Sequence, residues 1–87
     1  MSATVHVELT RVVDGPDLLE ALAARGLAGE LVEEDRVAVR AGGGDVDAQR
    51  LRSVVSHALD EWVTDRELPF VPTRLSDDAY VLRPPAG

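Results

Sequence analysis

Apolar and polar residues alternate with a period of two near the start of the chain. Val5, Val7 and Leu9 share one side of residues 4–10, while His6 and other polar residues take the opposite side. This alternation predicts a β-strand that is buried on one face only.

A short helix is predicted over residues 17–25, because Leu18 and Leu22 recur there at helical spacing. Gly26 is a typical residue just past a helix C-terminus, and Asp14 is placed to act as the N-cap. Two short strands are then predicted within the next fifteen residues by the alternation of apolar positions, joined by an acidic turn.

The clearest pattern predicts a second helix over residues 46–64. Its apolar residues recur at i, i+3, i+4, i+7, i+8 and i+11, which places them on one face. They are Leu51, Val54, Val55, Ala58, Leu59 and Trp62. Trp62 is interpreted as a core residue. The alternative is that the helix extends beyond the sheet, in which case Trp62 would be exposed and a candidate for a protein interface.

One strand is predicted beyond this helix, over residues 70–75, and residues 79–83 are a candidate for a last strand that would pair back with it as a hairpin. Pro72 has no backbone N–H, so the first of them should lie at a sheet edge. Residues 84–87 are rich in proline and are expected to form a disordered tail outside an α+β domain of residues 1–83.

The order β-α-β-β-α-β predicts a ferredoxin-like topology of two split β-α-β units. An antiparallel sheet would then carry both helices on one face, with the first and third strands central. Whether residues 79–83 add an extra C-terminal strand is left open. On the uncovered face, Glu8 should lie beside Arg36 and Arg40 and form ion pairs of modest strength.

Composition limits the classes of protein to consider. The 87 residues, 45% of them hydrophobic, suit one small globular domain, and the absence of cysteine excludes disulfides and thiolate metal sites. No apolar run reaches the ~20 residues of a membrane span, and no signal-peptide pattern is present. A soluble cytoplasmic protein without membrane association is expected.

The net charge is −7, and all nine basic residues are arginine. The absence of lysine excludes Schiff-base chemistry and a Walker-type phosphate loop, and with the many alanines and glycines it suggests a GC-rich bacterial genome. An acidic chain with three aromatic residues is poorly suited to binding nucleic acid. No motif implies a cofactor.

Three consecutive glycines, residues 42–44, separate a predicted strand from the second helix. Such loops often hold phosphates, but Asp45 and Asp47 stand where the helix N-terminus would meet the anion. These carboxylates can cap the helix themselves. We therefore interpret the loop as a flexible connector that supplies its own cap.

Histidine chemistry was considered at two positions. His57 and Glu61 are separated by one helical turn, which suits two metal ligands but not a complete site, and His6 has no evident reason to join them. Asp60 could orient His57 as a base, but the two serines of the same helix lack a nucleophile context. No catalytic or metal-binding residue is therefore assigned, and the acidic pairs on turns are interpreted as solvated.

The opening β-α-β unit, with "DLLEALAARGLAGELVEED" (residues 17–35) at its centre, resembles the start of small bacterial signal-transducing domains. Leu22, Gly26 and Leu27 supply the form in which a helix ends in L-x-x-x-G before a second strand. The resemblance covers about a third of the chain and assigns no catalytic residue.

Three functions are compatible with these observations. The leading hypothesis is a non-catalytic interaction or regulatory module that binds a protein partner or self-associates through an edge strand or the open sheet face. The second is a sensor of an unidentified small molecule, with the ligand between subunits. The third is a cofactor-free enzyme that uses His6 or His57 as an acid–base group. A dimer that buries His6 and Tyr80 in a shared pocket would favour the second or the third hypothesis.

Overall fold

The computed structural model describes residues 3–42, 47–76 and 78–84. Its elements, in chain order, are β1 (Val5–Glu8), α1 (Gly15–Ala24), β2 (Leu27–Glu33), β3 (Arg36–Ala41), α2 (Ala48–Asp65), β4 (Val71–Ser76) and β5 (Ala79–Arg83). A single 3₁₀ turn, Val12–Asp14, leads directly into α1. The helices and strands predicted from the sequence are all present, with boundaries shifted by up to two residues.

The strands form one mixed sheet in the order β2-β3-β1-β5-β4. The α+β class is confirmed, and residues 79–83 do form a fifth strand. The prediction of an antiparallel sheet is wrong, because β1 and β5 pair in parallel, with His6 opposite Ala79. The ferredoxin-like strand order is not found either, since β5 lies between β1 and β4.

The position of β4 follows from its sequence. An interior strand must donate and accept hydrogen bonds on both sides, and Pro72 removes one donor from β4. In β5, Tyr80 and Leu82 are buried, as an interior strand beside the core requires. The hairpin therefore places β5 next to β1 and leaves β4 at the edge, where Pro72 was predicted to lie.

Both helices contribute to one core against the same face of the sheet. The α1 residues Leu18 and Leu22 meet the apolar stripe of α2, with Trp62 at its C-terminal end. Val54, which the sequence assigned to this stripe, is instead 38% exposed. The buried face of α2 is thus narrower than predicted, with its members four, seven, eight and eleven residues after Leu51.

The helix N-termini differ from each other. Asp47 caps α2, because its Oδ1 accepts a hydrogen bond from the Arg50 backbone N–H at 2.8 Å. Asp14 occupies the N-cap position of α1, but its side chain makes no capping hydrogen bond. The prediction of an Asp14 side-chain cap is wrong because Arg11 binds both carboxylate oxygens, at 2.8 and 3.1 Å.

Gly42, the first of the three consecutive glycines, has a defined structural role. Its N–H donates to the carbonyl of Gly26 at 3.0 Å, and a Cβ at Gly42 would overlap that carbonyl oxygen. Gly26 itself has φ +76°, the left-handed conformation of a helix-terminating glycine. At Gly42 the connector makes a close backbone contact, and its predicted flexibility stays a prediction, whereas residues 43–46 lie outside the described residues. The tail predicted for 84–87 is described only at its first residue.

Candidate functional site

The sheet has one face without helices, which we call the open face. Its members follow from the strand registers, because they alternate with the core residues of each strand. They include His6 and Glu8 on β1, Ala28 and Glu30 on β2, Arg36, Ala38 and Arg40 on β3, Val71, Thr73 and Leu75 on β4, and Ala79, Val81 and Arg83 on β5.

Ion pairs occupy the half of the open face formed by β1, β2 and β3. Arg36 lies 4.0 Å from Glu8 and 3.5 Å from Glu33, and Arg40 lies 3.3 Å from Glu30. The predicted pairing of Glu8 with Arg36 is present, but Arg40 pairs with β2 instead. Glu8 is directly opposite Arg36 in the register, and Arg40 is four residues farther along β3.

The half of the open face formed by β4 and β5 is more apolar. Val71 and Leu75 are 48% and 49% exposed there. Leu75 borders a concavity of about 180 Å³ that is also lined by His6, Glu8, Arg36, Ala79 and Tyr80. The Nδ1 atom of His6 is buried and has no hydrogen-bond partner among the described residues. His6 and Tyr80 thus border one concavity within a single copy of the chain.

His57 lies on α2, on the opposite side of the sheet from His6, and its side chain is exposed. Glu61, its partner in the metal-site hypothesis, instead accepts a hydrogen bond from Arg25 of the α1 C-terminus at 2.5 Å. Asp60 is exposed near His57 and lines the same shallow surface. No cluster of three or more metal-ligating side chains occurs within residues 3–42, 47–76 and 78–84.

A second concavity lies between α2 and β4, and we call it the α2–β4 groove. It measures about 370 Å³ and is lined by Gln49, Arg52, Ser53, Ser56, His57, Arg74 and Tyr80. The Tyr80 hydroxyl donates to the backbone carbonyl of Arg52 at 3.4 Å, which links β5 to the helix. Ser53, Ser56 and His57 are among the residues that the sequence offers as candidate nucleophiles or bases, but the groove itself is not predicted.

One signal in the sequence could have identified this groove. The five α2 residues that line it are polar and recur at i, i+3, i+4, i+7 and i+8, beginning at Gln49. That spacing defines a polar stripe beside the apolar one. The stripe forms one wall of a groove only because β4, the edge strand, supplies Arg74 on the other wall.

Trp62 belongs to the core and not to an exposed interface. It is 2% exposed, and its Nε1 donates to Asp17 Oδ2 at 2.9 Å. The other Asp17 oxygen lies 3.0 Å from Arg66 Nη2, so one carboxylate connects the start of α1 to the end of α2. The predicted core position of Trp62 is confirmed, and this contact explains how its polar N–H is satisfied.

The comparisons with known proteins place the chain in no family. No protein-family model matches it, and no curated protein matches it by sequence. The resemblance of the opening β-α-β unit to bacterial signal-transducing domains therefore stays a prediction. Among the helices in the described part of the chain, neither has the length and apolar character needed to cross a bilayer.

Proposed function

We propose that this chain is a non-catalytic interaction module that pairs with a second copy of itself through the open face. One observation carries the proposal: a five-stranded sheet has both of its helices on one side and ends in solvent on the other. Burial of a second sheet face is a common way for a small domain to enlarge a thin core.

The sheet edges are less suitable for pairing two identical copies. On β4, Pro72 cannot donate the backbone hydrogen bond that strand addition requires. At the turn that ends β2, Glu33 and Glu34 are adjacent and exposed, with only Arg36 within ion-pair distance of either among the described residues. Two copies of a chain with net charge −7 would bring these carboxylates together and repel each other.

The open face avoids this repulsion. Its carboxylates at Glu8 and Glu30 are matched by Arg36 and Arg40, so the charged half has little net charge. The apolar half offers exposed side chains, of which Leu75 borders the His6 concavity. Burial of apolar area against a second copy would supply the free energy of association, about 25 cal/mol per Å² before the costs of binding.

The test is the light-scattering mass of the full chain over a range of concentrations. A mass near twice 9.3 kDa at high concentration is expected. Leu75→Glu should abolish the dimer, because it places a charge in the apolar half of the open face. Val54→Glu is the matched control, since Val54 is also partly exposed but lies on α2.

Two results would contradict the proposal. One is a mass of 9.3 kDa at every concentration up to the millimolar range. The other is an equal loss of dimer in Leu75→Glu and Val54→Glu, which would place the contact elsewhere or reflect added charge alone. The dispersion of the amide NMR spectrum checks that both variants remain folded.

A small-molecule sensor is the second candidate function, and the α2–β4 groove favours it. The groove combines two arginines with serine, glutamine and histidine side chains in a defined concavity. The enzyme hypothesis, in which either His6 or His57 acts as the acid–base group, has no comparable support. Neither histidine is paired with a carboxylate by an ion pair or hydrogen bond found in the described residues.

A further inference from the structure

We propose that the free edge of β2 binds an extended, basic segment of a different protein, which adds to the five-stranded sheet as a further strand. Three features of β2 support this: its unpaired backbone groups, the apolar side chain beside them and the carboxylates at its end. Self-association uses the open face instead, so the two contacts involve different parts of the molecule and neither depends on the other.

The backbone of β2 has hydrogen-bonding groups that point away from the sheet. β2 is the terminal strand and pairs only with β3 in the described part of the chain. The Gly42 N–H donates to the Gly26 carbonyl, and along an antiparallel pair the bonded residues alternate with residues whose N–H and C=O groups point outward. Counted from Gly26, the outward groups are those of Leu27, Gly29 and Leu31. An added strand could therefore form a ladder with them.

The opposite edge of the sheet is less suitable. β4 contains Pro72, which has no backbone N–H to donate. β2 contains no proline, and its register with β3 is regular from Leu27 to Leu31, with a shift only before Glu33. The first five residues of β2 thus offer a regular edge to a partner strand.

The two sides of β2 differ in chemistry. Leu31 is on the covered side, where it lies beside Gly15 at the start of α1, yet it is 41% exposed. Glu30 is on the open side, and so is Glu33, because the register shift places it opposite Arg36. An added strand would meet apolar surface on one side and polar surface on the other. This favours a partner segment in which apolar and polar residues alternate.

The charge at the end of β2 indicates which partner fits. Glu33 and Glu34 are adjacent and exposed, and Asp35 follows them. Among the described residues, Arg36 is the one cation within 4.0 Å of any of these three carboxylates, and it is shared with Glu8. A second copy of the chain carries the same net charge of −7, whereas a strand rich in arginine or lysine would be attracted. The occupant that fits is therefore a basic strand of another protein.

The probe is a synthetic peptide of alternating valine and arginine, as long as the seven residues of β2 and blocked at both ends. It is titrated into the full chain and followed by amide NMR, at about 0.15 M ionic strength, where charges more than about 8 Å apart are largely screened. Saturable shifts are expected, centred on residues 27–34.

Amide hydrogen exchange provides a second readout with a distinctive pattern. At a peptide concentration ten times the dissociation constant, the N–H groups of Leu27, Gly29 and Leu31 should exchange about tenfold more slowly, because the added strand accepts their hydrogen bonds. The N–H groups of Ala28 and Glu30 are directed toward β3 and should change less. Binding by side chains alone would not produce this alternation.

Control peptides separate backbone pairing from charge. One peptide is N-methylated at its valines and the other at its arginines, so both keep the same charge. An added strand pairs through only one of these two sets of residues, so one peptide should bind about tenfold more weakly than the other. A third peptide, with glutamate in place of arginine, should bind at least about tenfold more weakly than the probe. These tests change the peptide and not the chain, so none depends on a variant that folds.

Variants of the chain test the carboxylates. Glu33→Gln with Glu34→Gln should weaken binding of the probe by about fivefold. Asp60→Asn with Asp65→Asn is the matched control, because it removes the same charge from exposed residues of α2, and it should change the affinity by less than about twofold. Leu75→Glu alters the open face and should also bind the probe within about twofold of the unchanged chain, whether or not the chain self-associates.

Several outcomes would overturn the proposal. Equal affinities of the two N-methylated peptides would exclude strand addition, and a glutamate peptide that binds as tightly as the probe would exclude selection by charge. Equal losses in the two double variants would show that net charge alone attracts the peptide. Shifts centred outside β2, or a loss of binding in Leu75→Glu, would place the contact elsewhere. Exchange in β2 that slows with protein concentration in the absence of peptide would mean that a second copy occupies the edge.

Discussion

The two faces of the sheet are built from the same five strands but have different chemistry. On the covered face, Val7 and Val37 are fully buried beneath the helices, and the described residues include no buried polar or charged side chain. On the open face, neighbouring residues of the same strands, such as Glu8 and Arg36, form ion pairs in solvent. One residue along a strand therefore separates core from surface.

This difference assigns separate roles to the two faces. Removal of apolar area from water on the covered face provides the main stabilisation of the fold. The exposed ion pairs of the open face contribute little to stability, because water and salt screen them. Substitutions on the open face should therefore alter association while leaving the fold intact.

The largest expected effect contrasts two leucines of the β4–β5 hairpin. Leu82 is 1% exposed on the covered face, and Leu75 is 49% exposed on the open face. Leu82→Ala should lower the free energy of unfolding by about 2–5 kcal/mol, because it leaves a cavity in the core. Leu75→Ala should change the stability of the monomer by less than about 0.5 kcal/mol. Urea titrations at low protein concentration measure both, and similar losses would refute the assignment of faces.

The second prediction concerns a contact that belongs to neither face. Gly42 of the β3 C-terminus approaches the backbone of Gly26, just after α1, so closely that no Cβ can be accommodated. Gly42→Ala should cost about 1–3 kcal/mol, since backbone atoms must move to relieve the overlap. Thermal unfolding followed by circular dichroism measures this loss, and an unchanged melting temperature would contradict the close approach.

A third prediction tests the polar contact at the margin of the covered face. Asp17→Leu removes the acceptor of the buried Trp62 N–H and should cost about 1–3 kcal/mol. Asp17→Asn keeps an oxygen acceptor and should lose less than about 1 kcal/mol, although it also loses the ion pair with Arg66. Equal losses in the two variants would assign the stabilisation to the charge of Asp17 and not to the hydrogen bond. Urea titration with tryptophan fluorescence provides the measurement.

The smallest effect is expected for an ion pair of the open face. Glu30→Gln breaks the contact with Arg40 between two exposed side chains and should not measurably change the midpoint of urea unfolding. The control is to repeat the titration at low and at high salt. The difference in unfolding midpoint between Glu30→Gln and the unchanged chain should be small at both salt concentrations, because the pair is exposed. A clear loss at low salt would mean that the open face stabilises the fold more than its exposure indicates.

Prediction from the sequence was accurate where the structure depends on local spacing. The period-two pattern around Val7 correctly separated core from surface, and the helical spacing after Leu51 correctly located α2 and, except for Val54, its buried face. It was inaccurate where distant segments meet. Arg40 was placed on the correct face but with the wrong partner, because pairing depends on the strand register and not on the alternation of residues.

The same limit applies to the candidate sites. Ser53, Ser56 and His57 were considered individually as catalytic groups, and their helical spacing was visible in the sequence. The groove exists only because β4, with Arg74, lies at the sheet edge beside α2. The close contact of Gly26 with Gly42 was equally hidden, since the two residues are distant in sequence and lack side chains that could reveal a pattern.

By itself, the sequence determined the secondary structure, the buried side of each element and the acidic charge, because these depend on periodicity and composition. The parallel pairing of β5 with β1, and the groove between α2 and β4, arise only when distant segments of the folded chain meet. The physical reason is that strand order is selected by the hydrogen-bonding capacity and burial of whole strands. Pro72 in β4 lacks a backbone N–H, and Leu82 in β5 needs burial. These two properties together place β5 beside β1 and β4 at the edge of the sheet.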